Sequence, residues 1–258
     1  MALYALTSAG GSPGVTTSAL ALALTWPSQV IVAECDPSGG DVLAGLFAGH
    51  LEARSGLLPL AMAAGSNPES MTAGLWQQLV DLDGEHSRML LPGITDPRQA
   101  AGLEPSWPAL AAALSALPGD VIADCGRLDV LPASAPILAA ASIAILVLAP
   151  TLRQVSKARQ RIEMLADLRG GAERLALLLI GRGTHSARDV QRVLGVQVAG
   201  TLTDDDKTAS MLSDGTGSRR GLAARPLLRS ARPAGRALRE FTPTAIGLGA
   251  VAIQDRSA

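Results

Sequence analysis

The stretch Ser8-Ala9-Gly10-Gly11-Ser12-Pro13-Gly14-Val15-Thr16-Thr17 joins a short apolar run to a longer run rich in alanine and leucine. The apolar run, Leu3 to Leu6, predicts a buried strand, and Thr16 to Thr25 predicts a helix, so the glycines lie at a strand-to-helix turn. Glycines let backbone amides converge on an anion, and the start of the following helix adds a partial positive charge. The stretch therefore predicts a phosphate site, with a glycine-rich turn that binds no ligand as the alternative.

Two further apolar runs lead into acidic residues. Residues 30–33 precede Glu34 and Asp36, and residues 121–123 precede Asp124. A continuous apolar run is typical of a strand buried on both faces of a parallel sheet, and such sheets carry their ligand sites at the carboxyl ends of the strands. We therefore expect these carboxylates to lie near the glycine turn.

Together the three segments resemble the motifs of the ParA/MinD family of P-loop ATPases. The first is similar to the deviant Walker A motif of that family, Lys-Gly-Gly-x-Gly-Lys-Thr-Thr, but Gly10 and Val15 stand at its two lysine positions. The second is similar to Asp-x-Asp-Pro-Gln, with Glu34 and Asp36 at the acidic positions and Ser38 in place of the glutamine. The third resembles the Walker B strand, and the resemblance extends from residue 2 to about residue 238 by order and spacing.

The resemblance implies ATP and magnesium as cofactors. Asp36 and Asp124 are the residues expected at the catalytic centre, and with Thr16 they are the expected magnesium ligands. In the family, the residue at the position of Asp36 helps to position the metal and the attacking water, and Asp124 would hold the metal's shell through water. The residues expected to contact the nucleotide are Gly10, Gly11, Ser12, Pro13, Gly14, Val15, Thr16, Thr17, Arg127 and Arg182.

The two arginines of this set are expected to contact the nucleotide for different reasons. Arg127 follows Asp124 closely and is the first candidate to replace the missing lysines, with an exposed loop arginine as the alternative. Arg182 follows Gly181, at a place where the family often has Asn-Arg, and a guanidinium there can stack on a purine.

The loss of both lysines changes the expected activity. A P-loop lysine neutralises phosphate charge, and removing one partner of a desolvated charge pair costs roughly 2–5 kcal/mol. We therefore expect weak nucleotide affinity and weak or absent ATP turnover. In the family, the signature lysine completes the partner subunit's site across a dimer, so the resemblance implies a homodimer while Gly10 removes one of its contacts.

The alternation of strands and helices predicts an α/β fold with a doubly wound, mainly parallel sheet of about seven or eight strands and helices on both faces. With 258 residues, 48% of them hydrophobic, the chain is expected to form a single P-loop NTPase-like domain over 1–258, with a loose tail from about residue 242. We find no uncharged apolar run of membrane-spanning length, no basic leader and no disulfide framework, which favours a cytoplasmic location.

Individual elements are also predicted. Helices are expected over 57–63, 71–82, 107–117, 152–168 and 186–194, and strands over 87–91, 143–148, 175–180 and 196–202. Ser186 is expected to cap its helix, and the acidic run 204–206 to cap another. Trp76 and Trp107 are expected in the core or a groove. Pro226 and Pro233 are expected to divide the last helix into two.

Charge is distributed unevenly along the chain. Residues 1–150 contain 4 Lys/Arg and 13 Asp/Glu, whereas residues 151–258 contain 18 and 10. The C-terminal arginines at helical spacing are Arg225, Arg229, Arg232, Arg236 and Arg239. Such a stripe indicates either a phosphate-binding surface for DNA or an ordinary solvated face.

The sequence supports three functions. The first is a divergent ParA/MinD-like positioning or assembly factor that binds a partner protein and turns ATP over weakly or not at all. The second is a slow Mg-ATP-dependent switch that uses a substitute arginine. The third is a nonspecific DNA-binding module that uses the C-terminal basic surface.

Overall fold

The computed structural model describes residues 1–10, 14–46, 55–129, 132–216 and 221–241. Three residues of the expected nucleotide loop, Gly11, Ser12 and Pro13, lie outside these ranges, as does the tail from residue 242.

The core of the fold is an eight-stranded sheet of order β3-β4-β2-β5-β1-β6-β7-β8. All neighbouring strands are parallel except β3 and β4, which form an antiparallel pair. This confirms the predicted fold class. The strands are β1 (Leu3–Ser8), β2 (Val30–Glu34), β3 (Val80–Asp81), β4 (Arg88–Leu91), β5 (Asp120–Arg127), β6 (Ile143–Leu148), β7 (Leu175–Ile180) and β8 (Val198–Leu202).

Helices cover both faces of the sheet. Their bounds are α1 (Val15–Thr25), α2 (Val42–Leu46), α3 (Leu57–Ala64), α4 (Pro68–Leu75), α5 (Ala100–Leu103), α6 (Trp107–Ala116), α7 (Ala135–Ala140), α8 (Leu152–Arg169), α9 (Ala187–Leu194), α10 (Asp206–Asp214) and α11 (Pro226–Arg239).

Each face of the sheet has its own apolar core. In β1, Leu3 and Ala5 pack with residues of α3 to α9, whereas Tyr4 and Leu6 pack with residues of α1, α2, α10 and α11. Successive side chains of a strand point to opposite faces, so a strand covered on both faces must be apolar throughout. This explains why the central strands read as continuous apolar runs.

Helix α11 corrects one prediction, because it runs through Pro233 without a break. An interior proline costs a helix about 3 kcal/mol, but burying each leucine contributes roughly 1.5–3 kcal/mol. Three leucines of α11 are buried: Leu227, Leu228 and Leu238. The helix also packs closely, since a Cβ built on Gly235 would lie 3.1 Å from the Trp26 ring. Tertiary packing therefore outweighs the proline.

The predicted helix over 71–82 is also partly wrong. It ends at Leu75, and Val80 pairs with Leu90 in the antiparallel β3–β4 ribbon. The Asp81 carboxylate accepts a hydrogen bond from the Gly84 amide at 3.0 Å, which stabilises the turn between the strands. Trp76 is 52% exposed and lines a small groove of about 80 Å³ beside β2 and β4, and Trp107 is buried, so both accord with the predicted core or groove positions.

Several local predictions are confirmed. Helices α3, α6, α8 and α9 and strands β4, β6, β7 and β8 form where the sequence indicates, within a few residues. The Ser186 hydroxyl accepts from the Asp189 amide at the start of α9, and the Asp205 carboxylate accepts from the Thr208 amide at the start of α10. No described helix has the length and apolar character needed to cross a membrane.

Asp120, at the start of β5, joins several segments at the amino end of the sheet. Its carboxylate accepts hydrogen bonds from the Ala2 amide at 3.1 Å and the Trp26 indole at 2.9 Å, and it pairs with Arg239 at 3.1 Å. Only 5% of Asp120 is exposed. The start of the chain, the end of α1 and the end of α11 are thus held by one buried carboxylate.

Candidate nucleotide site

The strand order brings together the segments singled out in the sequence. Strand β5 lies between β2 and β1, and Ala123 is in register with both Ala33 and Ala5. The carboxyl ends of these three parallel strands therefore meet at one edge of the sheet, where ligand sites of such sheets form. Helix α1 begins at the same edge.

Thr16 and Asp124 meet in a direct hydrogen bond. Thr16 lies in the first turn of α1, and its hydroxyl donates to Asp124 Oδ2 at 2.5 Å. Asp124 is 2% exposed, and its other oxygen accepts from the Gly126 amide at 3.0 Å. Burial raises the pKa of Asp124 to about 6, although the Thr16 and Gly126 hydrogen bonds favour the charged carboxylate and oppose this shift.

Asp36 reaches the same place from the loop after β2. Its carboxylate accepts from the Ser38 amide at 2.7 Å and lies against the backbone of Gly126, where a Cβ would be 1.9 Å from Asp36 Oδ2. Gly126 has φ +60°, so a glycine is favoured there by both conformation and contact. Thr16, Asp36 and Asp124 therefore converge, as the sequence predicts.

An open cavity of about 470 Å³ lies over this cluster. Its described lining is contributed by the ends of β1 and β5 with the loops that follow them, by α1, by the loop after β2 with the start of α2, and by the end of α10. The residues are Ser8, Gly14, Val15, Thr16, Thr17, Leu20, Asp36, Ser38, Asp41, Val42, Gly126, Arg127, Asp129, Leu212 and Ser213. Gly14, at the start of α1, offers no side chain to cap the helix, so the partial positive charge of the helix faces the cavity.

The charged part of this lining is mainly acidic. Asp36, Asp41 and Asp129 face one described cation, the exposed Arg127. Carboxylates repel a bare phosphate, so an anionic ligand gains most if it enters with a divalent cation.

The oxygen donors at the cavity fit a magnesium ion that is bound together with a phosphate group better than they fit a magnesium ion bound by protein alone. Among the described residues, no group of three or more His, Cys, Asp or Glu is placed to hold a metal. The Thr16 hydroxyl and the Asp124 and Asp36 carboxylates are hard oxygen donors, and magnesium is commonly held by one or two such groups plus phosphate oxygens and water. The donor set therefore fits the metal expected from the sequence.

Solved structures of similar fold include MinD from Pyrococcus furiosus, a cell division ATPase. Its TM-score is 0.72 at 14% identity, covering 93% of this chain and 99% of that one. The chain has the MinD/ParA fold. Septum site-determining MinD from Pyrococcus horikoshii, complexed with Mg-ADP, gives 0.69 at 17% identity over 91% and 94%. The MinC:MinD complex from Aquifex aeolicus gives 0.67 at 17% identity over 94% and 97%.

No protein-family model matches the chain, and no curated protein matches its sequence. At identities of 14 to 17%, the similarity to the solved structures is one of fold.

Within this MinD/ParA fold, the remaining expected site residues have different positions. Gly14, Thr17 and Arg127 line the cavity. Val15, the first residue of α1, also borders the cavity, but it is only 7% exposed and its apolar side chain belongs to the core. Arg182 is exposed after β7 and is not among the described lining residues.

Glu34 has a structural position rather than one in the cavity. Its buried carboxylate accepts hydrogen bonds from the amides of Val42 and Gly93, both at 3.0 Å, and contacts Gly40, where a Cβ would lie 2.7 Å away. Glu34 thereby holds the loop that carries Asp36 against the end of β4. Burial raises the pKa of Glu34 to about 7.

Sequence reasoning missed Asp41 and Asp129 as lining residues. Asp41 follows Gly39-Gly40, and Asp129 follows Arg127, each in a loop that leaves the carboxyl end of a central strand. Their location after central strands could have identified both residues from the sequence, since these loops form the ligand site of a doubly wound sheet.

We predict that Gly126→Ala destabilises the protein more than Gly170→Ala. Both glycines have a left-handed conformation, with φ +60° and +70°, and an alanine costs about 1 kcal/mol or more in each. At Gly126 the new methyl group must also displace the Asp36 carboxylate, whereas nothing lies within 4 Å at Gly170. Urea unfolding should show an additional loss of about 1–2 kcal/mol for Gly126→Ala. Equal losses of unfolding free energy in the two variants would contradict the close contact between Asp36 and Gly126.

We also predict a pH-dependent effect of Glu34→Gln. Because the folded-state pKa of Glu34 is raised from 4.5 to about 7, the stability associated with its protonated form is present at low pH and is lost as the pH rises to about 7. The Glu34→Gln variant does not lose stability in this way, because a glutamine side chain does not ionise. The stability advantage of the wild type over Glu34→Gln should therefore fall by on the order of 2–3 kcal/mol between about pH 4 and pH 8. If urea unfolding gives the two proteins free energies of unfolding that change with pH in the same way, Glu34 does not titrate in this range in the folded protein.

Proposed function

We propose that the protein is a positioning or assembly factor that binds a magnesium–nucleotide complex and turns ATP over weakly or not at all. The observation that carries this proposal is the convergence of Thr16, Asp36 and Asp124 beneath one cavity, with the Thr16 hydroxyl bonded to Asp124. A hydroxyl and carboxylates at the end of a glycine turn are the donors that a magnesium–phosphate ligand requires.

Different residues would bind the phosphates and the magnesium ion. The amino end of α1 would face the phosphates, and Thr17 lies beside it in the cavity wall. Thr16, Asp124 and Asp36 would hold the magnesium, directly or through water. When bound, the metal would neutralise phosphate charge in a cavity whose charged lining residues, among those described, are mainly acidic.

Weak turnover follows from the shortage of cations. Hydrolysis of a triphosphate depends on stabilising charge that spreads over the phosphate oxygens. Val15 offers no charge to this task, and Arg127 reaches the cavity wall from the end of β5 rather than from the glycine turn. The protein would therefore bind nucleotide better than it hydrolyses it.

Partner binding is part of the same proposal. The MinD of Aquifex aeolicus is seen in a complex with MinC, and that of Pyrococcus horikoshii is described as septum site-determining and holds Mg-ADP. By analogy of fold, we propose that this chain forms a homodimer and binds a partner protein, and that bound nucleotide regulates both interactions.

Isothermal titration should detect binding of ADP or ATP only when magnesium is present. Thr16→Val keeps the shape of the side chain but removes the hydroxyl, so its affinity should fall by about tenfold or more. Thr201→Val, at an exposed position of β8, provides a matched control and should bind as the wild type does.

The absence of heat and of any thermal shift with the wild type would exclude the proposal. Magnesium-dependent phosphate release that is lost in both Asp36→Asn and Arg127→Gln would instead favour the alternative function, a slow ATPase switch with a substitute arginine.

A second candidate function is nonspecific DNA binding through α11. The continuity of this helix, which the sequence did not predict, places Arg229, Arg232 and Arg236 along one exposed face. A row of exposed guanidinium groups can contact successive phosphates of a duplex.

If α11 binds DNA, the affinity should fall steeply with salt, and Arg232→Gln/Arg236→Gln should reduce the slope of log K against log salt by about 2. Arg174→Gln/Arg188→Gln removes the same charge from other exposed positions and should leave the slope nearly unchanged. Fluorescence anisotropy with a labelled duplex measures both. Absence of binding at low salt would remove this candidate.

A further inference from the structure

A lysine from a distant part of the chain lies beside Gly10. A Cβ built on Gly10 would be 3.7 Å from both Cδ and Nζ of Lys157, and among the described residues, apart from the neighbours of Gly10 in the chain, these are the atoms closest to that position. Gly10 is at the position where the ParA/MinD motif has its signature lysine. The end of the Lys157 side chain therefore occupies the space in which a side chain at residue 10 would begin.

The fold explains how Lys157 arrives there. Strand β6 pairs with β1 in the sheet, so α8, which follows β6, begins at the same edge as the turn after β1. Val155 and Ala158 are buried and fix this part of α8 against the core, while Lys157 between them is exposed. The backbone that carries Lys157 is thus anchored.

The ammonium group is available for a ligand. Within the part of the chain that the structure describes, Lys157 forms no hydrogen bond or ion pair. A lysine at position 10 would place a like charge next to it, which is unfavourable. Glycine at position 10 leaves this space to Lys157.

We infer that Lys157 supplies the positive charge that the glycine turn lacks, and that it binds the phosphates of the nucleotide. This inference rests on the proposed nucleotide binding and adds a binding residue to it. The charge would come from α8 of the same chain, so a nucleotide could be held without a signature lysine from a partner subunit.

The test compares three variants by isothermal titration with Mg-ADP. Lys157→Gln should weaken binding by about tenfold, Lys157→Arg should largely preserve it, and Arg153→Gln, an exposed position four residues earlier in α8, should bind as the wild type does. The difference between the wild type and Lys157→Gln should shrink as KCl rises from about 0.05 M to about 0.5 M, because salt screens an exposed charge. A purely structural role would not depend on salt in this way.

The outcomes separate the two proposals. If the wild type and Lys157→Gln bind equally while Thr16→Val binds weakly, the role of Lys157 is excluded and nucleotide binding stands. If Arg153→Gln is as weak as Lys157→Gln, the effect belongs to the general field of α8 and the specific contact is excluded. If the wild type binds no nucleotide, both proposals fail. Unchanged thermal melts of the variants without nucleotide confirm that they fold.

Discussion

The position of β5 between β2 and β1 is the constraint on which the candidate site depends. Parallel pairing in register brings the ends of three apolar strands to one edge, and the residues just beyond those ends can then touch. The Thr16–Asp124 hydrogen bond and the contact of Asp36 with Gly126 both cross between strands that are far apart in the chain. Neither contact would survive a different strand order, because each joins residues from separate strand ends.

The balance of charge distinguishes this site from a lysine-based phosphate loop. Carboxylates outnumber cations in the described cavity wall, and Val15 contributes apolar packing at a position where the sequence resemblance leads one to expect a lysine. Such a wall suits a ligand that brings its own divalent cation and penalises a bare anion. The positive charge that remains near the turn comes from positions outside the motif, Arg127 and Lys157.

The sequence was sufficient for the fold and for the residues that come directly after apolar runs. Asp36 and Asp124 could be placed because each buried parallel strand delivers the next residues of the chain to one edge of the sheet, whereas Thr16 was expected there from the resemblance of the glycine turn to the ParA/MinD motif. Glu34 could not be separated from Asp36, since whether a carboxylate at a strand end faces the cavity or a neighbouring loop depends on the path of that loop. The proximity of Lys157 to Gly10 could not be predicted from the sequence, because it arises from the pairing of β6 with β1.

Strand β5 carries two buried carboxylates, one at its first residue and one inside the strand, beneath the candidate cavity. Asp124 contacts Thr16 at the cavity, and Asp120 holds Trp26 and Arg239 at the opposite edge of the sheet. The two are four residues apart on an extended segment, a span of roughly 13 Å. One strand therefore carries both the carboxylate beneath the candidate cavity and the carboxylate that fixes the last residue of the arginine-bearing helix.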